Sequence, residues 1–434
     1  MSELRPRSNR SRRIDNIARH GQLPQSRPWL TALKALAFSL AVVLVSGVSV
    51  AAIALNNINQ SIDRVELASE DSSKPLPKIG DFEGGFNVLV VGSDTREGQG
   101  AQFGKTDSEL NDVTMLLHVS QDQTSAVAVS FPRDLVVPIP SCPHEDGDGN
   151  YKAMSAQPIN VTLSYGGLAC TVLTVEKLTG LEIPYAGLIT FDGVAHMSTA
   201  VGGVPVCVDG PINDRYTGLN LPEAGTYNLV GYEALAFLRS RHGVGDGSDL
   251  GRISSQQVYL SSLVRTLQSG GTLSDPSKLY NIAVAATENM QLSNSLANLD
   301  TMVSMANVLR KLDLSKVTFV QYPGSTGQGG VYEGKVAPIK AQATKLFDKI
   351  RADEPFLLAE GNTGVGSTVD PNAPVEAAPA PPPAPAPSET AAPTDGAEPT
   401  DGASPTPTET AAAPEVLGNV KGQTAADYTC AAAN

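Results

Sequence analysis

The sequence predicts a mixed α/β domain carried behind a single membrane-anchoring helix. Three observations carry that expectation. From Ala35 to Leu55 there are 21 residues without a charge, and as a helix they would span ~31 Å, about one bilayer core. Short β-rich runs occur at 86–91, 112–119 and 126–131. Helical periodicities then follow the strands through a body of roughly 270 residues, the pattern of one α/β domain.

Taken in order, residues 1–34 form a basic tail. Seven Arg (Arg5, Arg7, Arg10, Arg12, Arg13, Arg19, Arg27) face only Glu3 and Asp15 over residues 1–28. By the positive-inside rule this block is cytoplasmic and everything after Asn56 lies on the far side, in a single-pass, extracytoplasmic arrangement. A cleaved secretory peptide is the rival, because Val50-Ala51-Ala52 offers small residues, but a 34-residue leader is long for one. Residues 35–55 are therefore the expected transmembrane anchor and 56–85 a polar stalk. The folded body is expected over 86–358. Beyond it, 359–434 reads as a disordered Pro/Ala-rich tail, with 13 of the 31 prolines between Pro371 and Pro414. That composition cannot bury enough apolar area to offset chain entropy, and a spacer through a wall is its expected use.

Inside the body, Phe86–Val91 is stopped by Gly92-Ser93-Asp94, and the polar link Ser120–Ser125 suits a hairpin between 112–119 and 126–131. Leu168, Val172, Val175 and Thr179 share a helical face with Gly180 as its stop. Further helices are expected at 231–239, 249–268 and 296–311, with weaker apolar runs at 317–322 and 355–358. Four cysteines on the far side of a membrane sit in a disulfide-permissive setting. Cys142 with Cys170 is the preferred pair, and the spacing leaves the partners of Cys207 and Cys430 open. No CxxC spacing points to zinc or thiol redox chemistry. The net charge of −14 argues against a duplex-DNA partner, and no nucleic-acid role is expected.

If the first two strands pair antiparallel and a hairpin joins the second to the third, one sheet edge collects a set of charges. Asp94 and Arg96 lie past strand one, Asp112 starts strand two, and Arg133 and Asp134 lie past strand three. Two carboxylates with room for water suit Mg²⁺, which is commonly held by one or two carboxylates plus substrate phosphates. Arginine forks grip phosphate. Singly, each of these residues reads as a turn or a surface ion pair worth little; their convergence is what points to a site. Arg239 and Arg241 are two apart and cannot face one ligand from a continuous helix, so the helix starting near Gly231 must give way to extended chain around Arg239. After the loop Gly243–Ser248, the spacing puts Asp249, Arg252 and Gln256 on one helical face. Whether that face is solvated or functional stays open on spacing alone.

These residues resemble the LytR-CpsA-Psr (LCP) family. The matching motifs are Gly92-Ser93-Asp94-Thr95-Arg96, Asn111-Asp112-Val113-Thr114-Met115, Ser130-Phe131-Pro132-Arg133-Asp134, Gly202-Gly203-Val204, Ala234–Arg241 and Asp249-Leu250-Gly251-Arg252. They run in the family's order from about Phe86 to Gln268, with a weaker tail to about Leu358. The resemblance implies an αβα fold with a hydrophobic lipid tunnel. It implies a phosphotransferase that takes a glycan from a polyprenyl-pyrophosphate donor and joins it to peptidoglycan through a phosphodiester. Asp94 and Asp112 would hold Mg²⁺. Arg96, Arg133, Arg239 and Arg241 would grip the phosphates, with Arg252 and Gln256 behind them, Asp134 nearby, and Asp249 orienting an arginine or accepting a proton. Apolar residues between Val161 and Leu188 could help line the lipid sleeve, although plain core is their usual use.

The chain departs from the family in places. Ser255 stands where relatives often carry an arginine, and Thr226 stands where many have a cysteine, which leaves Cys207 without a local partner. The extra C-terminal domain of many actinobacterial relatives is missing or reduced to the tail. The style of the tail and the Gly166–Thr171 segment resemble actinobacterial members, which makes arabinogalactan a candidate glycan beside teichoic-acid-like polymers. Two motifs are decoys. Gly329–Lys335 imitates a P-loop, but Val336 replaces the required hydroxyl residue. Asp146-Gly147-Asp148-Gly149-Asn150 imitates a calcium loop with Tyr151 at the glycine position. No G-x-S-x-G elbow supports a serine hydrolase. The rival functions are a non-catalytic wall module that binds polyprenyl-linked glycans and a polyprenyl-pyrophosphate pyrophosphatase.

Overall fold

A computed structural model describes residues 28–70, 77, 82–94, 109–144, 149–269, 276–373 and 414–434. The chain divides into two units, Met1–Asn57 and Ile58–Asn434. Helix α1, described over Pro28–Ser61, falls mostly in the first. Its most apolar stretch is Trp29–Ser49, 21 residues with a mean hydropathy of 2.0 and none of it buried in protein. The sequence places the anchor at 35–55, six residues later. Lys34 makes the difference: the charge-free run starts after it, whereas the apolar stretch of the helix includes it.

In the second unit, β1 (Asp63–Val65), β2 (Phe86–Ser93), β3 (Asn111–Val119) and β4 (Ala126–Phe131) are followed by the arm β5 (Val136–Ile139) and β6 (Met154–Pro158). Helix α2 (Thr162–Thr179), β7 (Tyr185–Ile189), α3 (Phe191–Val201) and β8 (Val204–Val208) come next. The hairpin β9 (Ile212–Asp214) and β10 (Leu219–Leu221), then β11 (Gly225–Leu229), lead to α4 (Tyr232–Arg239), α5 (Asp249–Ser269) and α6 (Pro276–Asn289). The remainder is β12 (Met290–Ser293), α7 (Leu299–Lys311), β13 (Val317–Gln321), the small pair β14 (Gly324–Ser325) and β15 (Ala337–Pro338), α8 (Lys340–Arg351), β16 (Phe356–Leu358), β17 (Ser367–Val369), β18 (Glu415–Leu417), β19 (Gly422–Thr424) and β20 (Thr429–Ala431). The expected strands and helices all form close to their anticipated limits. Gly180 ends α2 in the left-handed region at φ 70°, donating its amide back to the Glu176 carbonyl.

Eight strands form a mixed sheet in the order β1-β12-β7-β2-β3-β4-β13-β19. β2–β3 and β3–β4 are antiparallel, as the hairpin argument requires, while β7 and β13 join in parallel on either side. One face packs on α2 and α8 through Leu89, Val91, Leu116, Val129, Leu168, Val172, Val175, Leu346 and Phe347. The other face meets α7 and α5 through Met305, Val308, Leu260 and Val264. The result is the αβα layering that the resemblance implies. A second sheet, β11-β8-β20-β17, packs against α4 and α5.

Two expected boundaries move, and the open disulfide pairing is settled. Residues assigned to the stalk are partly structural: 56–61 continue α1, β1 pairs with β12, and Leu67 is buried in the core. The body does not stop at Leu358. β17, β19 and β20 take places in both sheets, so 359–373 and 414–434 belong to the fold, while 374–413 lie outside the described residues. The reason is local composition. Short strands such as Gly422–Thr424 carry little hydrophobic pattern of their own, and they are held by ladder hydrogen bonds to a strand that is already buried. Finally, Cys142 pairs with Cys170 as expected, and Cys207 pairs with Cys430 across 223 residues.

Candidate functional site

The site grows from the ends of three adjacent strands and the start of one helix. Ser93 pairs with Asn111 at the end of the β2–β3 ladder, after a register shift at Gly92/Ser93. This sets Asp94 opposite Leu110, the Asp94 amide donating to the Leu110 carbonyl at 3.0 Å and the Leu110 amide donating back to Asp94 Oδ1 at 2.8 Å. Arg96 lies outside the described residues, as does most of the calcium-loop decoy.

Asp112 accepts from Arg133 Nη1 at 2.5 Å on Oδ1, and Arg252 Nη1 stands 3.9 Å from the same oxygen. Arg252 Nη2 donates to the Asp112 carbonyl at 2.8 Å and to Asp249 Oδ1 at 2.6 Å. Asp249 also takes Arg241 Nη2 at 3.2 Å and, on Oδ2, the Arg133 amide at 3.0 Å. Asp112, Arg133, Arg241, Asp249 and Arg252 therefore form one connected cluster drawn from three distant stretches of chain. The face of α5 that carries Asp249 and Arg252 is buried, not solvated: their side chains are 6% and 4% exposed. Asp134 stands at the edge, 3.6 Å from Arg133 Nε, and binds Lys335 Nζ at 3.1 Å.

Two expected members are directed elsewhere. Gln256 is buried and donates to the Leu238 carbonyl at 2.8 Å, tying α5 to the end of α4. A neutral amide one turn deeper on a buried helix meets the neighbouring backbone before it can reach the cluster. Arg239 lies over the Phe191 ring at 4.1 Å. The break in helix geometry expected between the two arginines is present: α4 ends at Arg239, and Ser240 is extended at φ −62°, ψ 133°. That turn sends Arg241 to Asp249, while Arg239 stays on the helix against α3.

Electrostatics follow from this crowding. Burial pushes the Asp112 carboxyl upward, but the charges of Arg252 and Arg133 and the Arg133 hydrogen bond outweigh it and leave the group below its ordinary 3.8. Burial and the neighbouring Arg252 charge lower Arg241 to about 10, partly opposed by Asp249. Arg133 Nε and Arg252 Nε are buried without a hydrogen-bond acceptor. An unsatisfied buried donor of this kind costs about 1–3 kcal/mol.

Two residues escaped sequence reasoning. Asp214, 1% exposed at the end of β9, accepts from Ser240 Oγ at 2.8 Å and from the Arg241 and His242 amides at 3.1 and 3.2 Å on Oδ2. It shapes the chain that presents Arg241, and nothing in Ile212-Asn213-Asp214 signals it. Lys335, dismissed with the P-loop decoy, is the partner of Asp134.

Beside the cluster lies an unevenly packed sheet face. Met115 pairs with Val90, and Leu117 with Val88, which also pairs with Tyr185, so these side chains share a face. Val90, Met115, Leu117, Tyr185, Leu260 and Val264 are only partly buried there, whereas Leu89, Val91, Leu116 and Val129 opposite are wholly enclosed. The apolar residues between Val161 and Leu188 expected to line a sleeve are mostly core: Leu163, Leu168, Val172, Val175 and Ile183 are all buried. Two clefts of about 470 and 320 Å³ lie elsewhere, one along α8 at Lys345 and Glu415, the other beside Cys207 and Tyr428. The lipid tunnel implied by the resemblance is neither of these.

The LytR_cpsA_psr family matches residues 49–348. The cell wall biosynthesis protein LcpA of Corynebacterium glutamicum is 29% identical over 297 residues, covering 61% of this chain and 55% of LcpA. The chain thus spans about half the length of that relative. The Bacillus subtilis protein TagT, named as a polyisoprenyl-teichoic acid–peptidoglycan teichoic acid transferase, is 26% identical over 321 residues, covering 72% of this chain and 92% of TagT. Among solved structures, a LytR-Csp2A-Psr enzyme from Actinomyces oris matches with a TM-score of 0.46 at 22% identity, over 67% of this chain and 95% of its own.

Proposed function

The chain belongs to the LytR_cpsA_psr family, and on that premise we propose that it is a phosphotransferase joining a polyprenyl-pyrophosphate-linked glycopolymer to peptidoglycan through a phosphodiester. The glycopolymer is arabinogalactan or a teichoic-acid-like polymer. The observation that carries the proposal is the cluster of Arg133, Arg241 and Arg252 around Asp112 and Asp249. Arg133 and Arg241, whose side chains stay 26% and 24% exposed, can offer their remaining guanidinium N–H groups to a diphosphate. The relatives' names support the substrate class: TagT is named as a transferase of polyisoprenyl-linked teichoic acid.

Asp94 and Asp112 would hold Mg²⁺. The donor set fits, because both are hard oxygen ligands at neighbouring strand ends, and Asp112 Oδ2 has no partner among the described residues. The metal would neutralise charge gathering on the phosphate oxygens. Arg133 and Arg241 orient the diphosphate, and Arg252 and Asp249 hold those arginines in place. Because Asp249 is engaged by three donors, its role is orientation and not proton transfer. An acceptor hydroxyl oxygen forms the new P–O bond to the glycan phosphate, its proton passes to water or to the departing phosphate, the bridging P–O bond breaks, and polyprenyl phosphate leaves. Positioning and charge stabilisation supply most of the acceleration in such a step. The partly buried row of Val90, Met115, Leu117, Leu260 and Val264 supports an apolar seat for the isoprenoid. α1 would anchor the protein in the cell membrane with the body extracytoplasmic, near donor and acceptor.

The deciding experiment supplies purified protein with a polyprenyl-pyrophosphate disaccharide donor, with and without peptidoglycan, and identifies the products. Transfer to the glycan strand that is lost in Asp94→Ala and in Asp112→Asn is the expected result. Release of sugar phosphate at the same rate without acceptor would establish a pyrophosphatase instead. A cellular role undiminished in both variants would establish a binding module.

A further inference from the structure

The last three residues of the chain close on the loop that begins at Arg241. Val244 and Ala433 form an antiparallel bridge. The Gly245 amide donates to the Ala432 carbonyl at 2.9 Å, the Asn434 amide to the Gly243 carbonyl at 3.2 Å, and Asn434 Nδ2 to the His242 carbonyl at 3.0 Å. The closing strand is itself held: Ala433 N donates to Asp209 Oδ1 at 2.7 Å, Ala432 N donates to the Gly366 carbonyl at 3.0 Å, and Cys430 is disulfide-bonded to Cys207 on β8. β20 and β19 are tied to α5 by a buried polar network in which Gln423 Nε2 donates to Ser261 Oγ at 2.7 Å and Thr429 Oγ1 donates to Gln423 Oε1 at 3.0 Å.

The loop needs such a brace. Gly243-Val244-Gly245-Asp246-Gly247-Ser248 contains three glycines, two of them at positive φ, 55° for Gly245 and 75° for Gly247. A chain this free loses much entropy on ordering, yet it must hold Arg241 at one end against Asp249 at the other. Contact with the rest of the fold is tight. A Cβ on Gly245 would stand 2.8 Å from the Val365 carbonyl oxygen, and one on Gly366 would stand 1.9 Å from the Gly251 carbonyl oxygen.

We propose that Ala432–Asn434 act as a positioning clasp for the Arg241–Ser248 loop, carried to it across the Pro/Ala-rich stretch and locked there by the Cys207–Cys430 disulfide. The phosphate-binding consequence rests on the function proposed above; the ordering of the loop does not. The chain on both sides of that stretch is built into the body, β17 before it and β18 to β20 after it.

The test compares the full chain with one that ends at Ala431, which keeps Cys430. Hydrogen exchange is read at Val244 and Gly247, whose amides donate within the loop, to Arg241 and Val244 carbonyls respectively. Exchange about tenfold faster at both, with β2 and β3 unchanged, is expected from losing three stabilising hydrogen bonds; unchanged exchange at Val244 and Gly247 overturns the clasp. Binding of inorganic pyrophosphate is then measured by calorimetry in a double cycle with Arg241→Ala. The shortened chain should bind about fivefold more weakly, and shortening should add nothing in the Arg241→Ala background. An equal loss in both backgrounds would mean that the clasp does not act through Arg241. Should the full chain fail to bind pyrophosphate, the proposed function fails while the exchange result still judges the clasp. If the shortened chain does not fold, Asn434→Ala serves in its place, with the same direction expected at Val244 and Gly247 and no change again overturning the proposal.

Discussion

Asp249 meets Arg252, Arg241 and the Arg133 amide with two carboxylate oxygens, and its side chain is 6% exposed. Removing a buried charge partner leaves cations in low dielectric without compensation. Asp249→Ala should therefore lower stability by about 3–5 kcal/mol, read from denaturant unfolding; a loss under about 1 kcal/mol would show that solvent reaches the cluster. Arg241 gives a pH signature. Its folded-state value of about 10 lies well below that of an ordinary guanidinium, so the charged form is the costlier one in the free protein, and that cost is relieved as pH rises through about 10. A bound pyrophosphate needs the charged form. Its affinity should accordingly weaken between about pH 9 and about pH 11 in the wild type, and Arg241→Ala should remove the part of that weakening due to this side chain, both measured by calorimetry. The residue types at these positions were legible from the acid and arginine motifs. The pairing was not, because a carboxylate's partner is chosen by which loops meet.

At the scale of elements, Asp214 joins the β9–β10 turn to the chain after α4. Burial pushes its carboxyl up, but hydrogen bonds from Ser240 and from the Tyr216 and Arg241 amides outweigh that and hold it below the ordinary 3.8. Asp214→Ala should cost about 1–3 kcal/mol by leaving amides unpaired, and should weaken pyrophosphate binding although Asp214 touches only backbone and Ser240 there. Unaltered affinity would detach the turn from the site. The disulfides offer a second comparison. In a chain-entropy account, closing 28 residues contributes ~3–4 kcal/mol and closing 223 contributes ~5 kcal/mol. Replacing Cys207 and Cys430 with Ser should thus destabilise more than replacing Cys142 and Cys170, as melting curves would show. The hairpin β3–β4 and the stop of α2 at Gly180 were visible beforehand because each is settled by a few adjacent residues.

At the scale of the molecule, the expected body of 86–358 omits strands at both margins. β19 is the outermost strand beside β13, and β20 lies between β8 and β17 inside the second sheet. A chain ending at Leu358 should expose those strand edges and the face of α5 bearing Gln257 and Ser261. It is expected to aggregate or to lose its cooperative melt, whereas a chain beginning at Ile58 should remain folded without detergent. A cooperative, monomeric product from the shorter C-terminal boundary would contradict this, as judged by calorimetry and sizing.

The amino-acid sequence by itself determined the long apolar helix near the N-terminus, the three strands β2 to β4, the helix limits near 231, 249 and 180, and the ordered motifs that point to phosphate chemistry. Each of these is written in periodicity, turn chemistry or charge within some twenty consecutive residues. Tertiary structure alone decided that Cys207 meets Cys430, that the final residues brace the Arg241 loop, that Gln256 turns to a carbonyl, and that the half-open apolar row lies on β2 and β3 and not in α2. Those outcomes depend on surfaces buried between segments up to 223 residues apart, and the free energy that selects them exists only once the sheets have closed.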